Sequence, residues 1–184
     1  MSLTSHCSLP PTKRLLRNMG LKDWPSAGFP GIAVNPETLM PEVVDEEACT
    51  LALKESGDAA DRVFVLLARG LTAEAAEAAA DARLIDPGSL RLQVLDAEIL
   101  RASKHYDRAE RILRALLPEV SGTPMEPWVF QQLGKVHFSS GAFEAAAKIF
   151  ATALELRVAS GSDATAIYSA TVSLKRALDL AERA

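Results

Sequence analysis

The chain has 184 residues, of which 48% are apolar and 24% charged, the balance of a globular protein rather than a disordered or fibrous one. A formal net charge of -4 argues against a main role on a nucleic-acid backbone or an anionic membrane surface. Two cysteines make no disulfide framework. Aromatics are only 5% and alanine supplies about a sixth of the chain, which favours closely packed helices over a β-sandwich.

At the start, Thr4, Ser5, His6, Cys7 and Ser8 interrupt any apolar run, so no secretory leader is expected. The most apolar windows, residues 62–68 and 75–82, fall far short of the roughly 20 residues that span a bilayer. The expectation is a cytoplasmic protein with no membrane contact. Six of the ten prolines, Pro10, Pro11, Pro25, Pro30, Pro36 and Pro41, stand in the first 41 residues, so residues 1–41 read as a Pro/Gly-rich extension. A short helix over residues 12–19 is capped by Thr12 and stopped by Gly20, with extended chain after it. The strip from Trp24 to Ile32 is apolar and pre-ordered by proline, and it should pack on the rest of the chain. Two placements are open, in a groove of the helical part or over its first helices; the second is preferred.

From residue 42 the pattern becomes helical, defining a helical domain over residues 42–184. Residues 42–56 form a first helix with a stripe of Val44, Ala48, Leu51 and Ala52, ended by Gly57. Self-similarity follows. Val63, Ala75 and Ala82 recur as Ala97, Ala109 and Leu116 at a period of 34, and again as Gly134, Ala146 and Ala153 with the same internal spacing. The third copy is displaced by three extra residues, assigned to a loop between Pro118 and Pro127. A last helix over residues 163–183 is capped by Ser162 or Asp163. Its stripe is Ile167, Ala170, Leu174, Leu178 and Ala181, and its wet side Lys175, Arg176, Asp179, Glu182 and Arg183.

The third copy, Phe130-x2-Leu133-Gly134-x2-His137 followed by Gly141, Phe143, Ala146-x3-Phe150 and Ala153, resembles the tetratricopeptide repeat, with Phe130 for its Trp and His137 for its Tyr. The second copy keeps Ala97, Leu100, Tyr106 and Ala109-x3-Leu113. The first keeps Leu66, Gly70, Ala75 and Pro87, with Ala79 where a large apolar residue is usual. This resemblance implies an all-α fold, a right-handed α-solenoid of antiparallel helix pairs over residues 58–88, 89–122 and 126–160, closed by the capping helix. Each pair leaves an apolar face that only a neighbour covers, and small residues set how closely the helices approach.

The resemblance also implies a concave groove that binds a peptide or helix of another protein. At the matching inward positions stand Phe64 and Leu67, then Arg91, Val94, Glu98 and Arg101, then Trp128, Gln131, Lys135 and Phe138. Trp128 and Arg101 are the leading candidates for binding energy. The basic clamp with which some members grip a terminal carboxylate is not matched, since Ala60, Phe64 and Leu95 stand at its places. An amphipathic or mildly acidic peptide fits better.

No nucleotide, zinc or redox motif occurs: G-x-x-x-x-G-K-[ST], G-x-G-x-x-G, H-E-x-x-H and C-x-x-C are all missing. His137 and Cys49 read as structural, and His105 as a turn residue. With no acid, base and oxyanion donor in one pattern, the chain reads as no enzyme, with no cofactor and no metal. The expected function is an adaptor or scaffold for another protein. The alternatives are a small chaperone for secreted or assembling proteins, and a regulatory module that forms homo-oligomers without a peptide ligand.

Overall fold

The computed structural model describes residues 23–184. The helix expected over residues 12–19 lies outside the described residues, as do His6 and Cys7. Two short strands, β1 (Ile32–Val34) and β2 (Pro41–Val43), precede eight helices: α1 (Glu46–Glu55), α2 (Ala59–Ala68), α3 (Thr72–Ile85), α4 (Leu90–Ala102), α5 (Tyr106–Val120), α6 (Glu126–Ser139), α7 (Phe143–Ala159) and α8 (Ala164–Ala181).

Side-chain caps set several helix starts. Asp45 Oδ1 accepts from Ala48 N at 3.0 Å, Asp58 Oδ1 from Ala60 N at 2.8 Å, and Asp163 Oδ1 from Ala166 N at 2.9 Å, each satisfying an amide that has no partner inside its own helix. The turns after α2 and α6 need left-handed backbone and have glycine for it, Gly70 at φ 75° and Gly141 at φ 85°. Lys104 takes the same conformation after α4 at φ 62°.

Each helix packs on the next in sequence. In addition α2 meets α4, α4 meets α6 and α6 meets α8, while no comparable contact joins α3 to α5 or α5 to α7. The helices α2, α4, α6 and α8 thus touch one another in turn, a row that is the inner one because the hairpin packs on it, whereas α3, α5 and α7 touch mainly their sequence neighbours. The nine small or apolar positions of the repeat, from Val63 to Ala153, are all buried. Gly134 shows why size matters: a Cβ there would stand 2.5 Å from the Phe150 ring, so α6 and α7 meet at a distance that only glycine permits.

Sequence and structure differ in three places. Residues 42–45 do not begin a helix, because Pro41–Val43 pairs antiparallel with Ile32–Val34 in the register Ile32 to Val43. Cys49 is then the buried residue of α1, while Val44 and Leu51 are exposed. Pro118 lies inside α5 rather than in a loop. The amide it lacks belongs to the helix's final turns, and buried Val120 holds those turns against the core. In α8 the buried side is turned from the expected stripe: Asp179 is buried and Leu178 exposed.

The strand pair and its flanks form a hairpin that reaches along the inner row. Phe29 and Ile32 pack with Val65 and Ala68 of α2 and Cys49 of α1. Val34 and Leu39 pack with Phe138, Ala146, Phe150 and Ala177 from α6, α7 and α8. Phe29 and Ile32 of the apolar strip thus lie over the first helices, and the chain after it, at Val34 and Leu39, packs on the last ones. Asn35 turns the chain: its Oδ1 accepts from Glu37 N at 2.8 Å and its Nδ2 donates to Glu42 Oε1 at 2.8 Å. Leu39, fully buried, is held at φ 55°, a strained conformation for a leucine that its burial offsets.

Candidate functional site

The hairpin leaves one part of the inner row uncovered, a cavity of about 480 Å3. Phe64 of α2, Arg91 and Leu95 of α4, and Trp128, Gln131, Gln132 and Lys135 of α6 form its floor. Ser26, Ala27, Gly28, Val34 and Pro41 of the hairpin wall one side, and Asp163, Thr165, Ala166 and Ser169 at the start of α8 another, with Arg157 and Met125 completing it.

Of the ten expected groove residues, Phe64, Arg91, Trp128, Gln131 and Lys135 line this cavity. For the other five the open groove is corrected. Leu67 and Val94 belong to the core, because the inner row buries one flank of each helix against its neighbour. Phe138 is buried edge-on against Phe143, ring centroids 5.5 Å apart, in the cluster that holds Val34 and Leu39. Glu98 and Arg101 form a buried ion pair, with Arg101 Nε donating to Glu98 Oε1 at 3.0 Å and Nη2 to Oε2 at 2.7 Å. Arg101 Nη1 also donates to Ser139 Oγ at 3.2 Å and meets Met40 Sδ at 2.8 Å, so this leading binding candidate instead ties the hairpin to α4 and α6.

The charges around the cavity are unevenly matched. Arg91 is paired with Asp58 and Asp61 at the start of α2. Burial opposes the Glu98 charge, but Arg101 and Lys135 outweigh it and hold its pKa below the usual carboxylate value. Burial pushes Lys135 down to about 8, only partly opposed by Glu98, with Arg101 and Arg157 adding to the fall. Burial likewise lowers Arg157, partly opposed by Asp163. Buried atoms without a hydrogen-bond partner among the described residues include Gln131 Oε1, Gln132 Oε1 and Arg157 Nε.

Arg157 and Asp163 were not expected at the site, because the repeat pattern points only to the first helix of each pair, and Gln132, although on such a helix, is not at one of its matching inward positions. Arg157 lies near the end of a second helix. No sequence signal gave its direction.

Cys49 is buried, and burial raises its thiol pKa, which disfavours the thiolate. His137 Nε2 lies 3.3 Å from Glu110 Oε1 between α5 and α6. Among the described residues no three His, Cys, Asp or Glu side chains are placed to hold a metal ion, and no helix is long and apolar enough to cross a membrane. Comparison with models of protein families, with curated proteins and with solved structures finds no match.

Proposed function

We propose that the chain is a non-catalytic, cytoplasmic adaptor of tetratricopeptide-like helix pairs, a short solenoid that binds another protein through its inner row. The observation that carries this reading is the row α2, α4, α6 and α8 itself, a continuous surface that already accepts an extended chain in the form of its own hairpin. Such rows recur where stacked helix pairs serve as binding surfaces. The hairpin occupies the ends of the row, so the partner is received at the cavity mouth, where Phe64 and Trp128 offer aromatic anchors and Arg91 a cation. Affinity capture with mass spectrometry tests the assignment. Partners held by the parent chain should be lost from a Trp128→Ala, Arg91→Glu variant that unfolds cooperatively. Retention of every partner would sink it.

One observation favours a second reading, association between copies. Leu84 and Ile85 at the end of α3 are 86% and 85% exposed, an adjacent apolar pair with no cover among the described residues. Light scattering over a concentration range decides it: a mass that stays that of one chain at every concentration excludes self-association.

A further inference from the structure

We infer that the cavity between α4, α6, the start of α8 and the hairpin is a binding site for a small organic acid carrying one negative charge. Charge is the first argument. Both Glu98 oxygens are committed to Arg101, and among the described residues Lys135 takes part in no salt bridge and no side-chain hydrogen bond. Asp163, which faces Arg157, uses an oxygen to cap α8. Among the buried charges Glu98, Arg101 and Lys135 there is thus one cation more than carboxylates, on a lysine more than nine-tenths buried, while Arg91 and Arg157 face Asp58, Asp61 and Asp163 farther out.

Unused polar atoms are the second argument. Gln131 and Gln132 are 4% and 7% exposed, line the cavity, and keep a buried Oε1 without a partner. Arg157 Nε is a buried donor in the same state. Native interiors rarely leave such groups unpaired: a carboxylate, which only accepts, would take the Arg157 Nε proton donor, and the two glutamine oxygens call for an N–H or O–H donor on the body of the acid, as indole-3-acetate carries.

Shape is the third. A volume of about 480 Å3 lies within the roughly 300–1,000 Å3 of small-molecule sites, and Phe64, Met125 and Trp128 supply an apolar wall for the body of the acid. Val34 and Leu39 block one end of the row and Phe29 and Ile32 the other, so the cavity is a pit and not a channel through which an extended peptide could run. An acid seated there would also raise the pKa of Lys135 from about 8, because its charge opposes the desolvation. The inference needs no protein partner, and its failure would leave the adaptor reading standing.

Thermal unfolding and calorimetry of the full chain test it with acetate, hexanoate, phenylacetate and indole-3-acetate, each beside its neutral amide. Inorganic phosphate and an acetylated glutamate-containing peptide form the other arms. At least one of the larger acids should bind one to one, its amide should bind about tenfold more weakly or worse, and Lys135→Met should erase that preference. Should Lys135→Met not fold, the parent chain alone is decisive: binding near pH 8 should take up protons, read as a buffer-dependent heat. The inference is overturned if no acid binds, if amides bind as well as acids, if binding takes up no proton, or if only phosphate or only the peptide binds.

Discussion

Replacing Gly134 by alanine sets two effects of known sign against each other. In an exposed helix interior the change would stabilise by about 1 kcal/mol, since alanine loses less backbone entropy. Here the new Cβ would stand 2.5 Å from Phe150 Cδ1 and Cε1 and 3.0 Å from Cζ, and the Phe150 ring is fully buried with no space to retreat. Overpacking of this kind costs about 1–3 kcal/mol, and more when the neighbour cannot move. A net loss of about 1–2 kcal/mol is expected, or a fall in Tm of about 5 °C for a chain of this length. Thermal unfolding followed by far-UV circular dichroism measures it. Combining the change with Phe150→Leu should recover part of the loss, because the smaller side chain vacates the contested space, so the double variant is better than additivity requires. A Gly134→Ala chain that melts at or above the parent would refute the close approach of α6 and α7.

Three further outcomes follow from the same geometry. Arg101→Met strands Glu98 in the interior and should cost about 3–5 kcal/mol in urea unfolding, whereas Arg101→Met with Glu98→Met should recover most of it. Lys135→Met should stabilise the protein at pH 7 by up to about 3 kcal/mol, because the folded chain holds that ammonium at a pKa of about 8 against 10.5 for the ordinary side chain. The sign follows from proton binding: between those values the unfolded chain binds more protons, so the parent gains stability as pH rises from 8 to 10.5, and the gap to Lys135→Met should close over that window and stay constant below it. Gly31→Ala places a Cβ 2.2 Å from Asp45 O at φ 73°, which should loosen the junction of hairpin and α1 and lower Tm by more than Gly134→Ala does.

Helix positions were legible in the sequence because the period, the Asp163 cap and the repeated alanines agree; the structure adds Asp58 as a cap and Gly70 and Gly141 as turns. Pro118 misled, because a proline within three residues of a helix end loses little that packing of Val120 cannot offset. The hairpin was harder. Each strand has only three residues, and its partner lies across a turn that Asn35 builds from side-chain hydrogen bonds rather than from an Asn-Gly pair. Five of the ten expected groove positions, Phe64, Arg91, Trp128, Gln131 and Lys135, line the cavity. Most of the remaining lining comes from the hairpin, the start of α8 and Arg157, whose positions depend on tertiary contacts that no local pattern encodes. Arg101 illustrates the limit: the repeat pattern offers it to a groove, whereas in the structure it pairs with Glu98 beneath Met40.

Hydrogen exchange of the intact chain tests most directly whether the inner row is closed by its own hairpin, leaving the cavity as the open site. The amides of Val34, Asn35 and Leu39 donate to the carbonyls of Pro25, Met40 and Asn35 at 2.7, 2.9 and 2.8 Å, and the first and last of these residues are buried against the helices. Their exchange should be as slow as that of amides in α4 and α6, opening only with global unfolding. Exchange at the rate of an unprotected loop would contradict the account, and would return the whole row to use as an open groove.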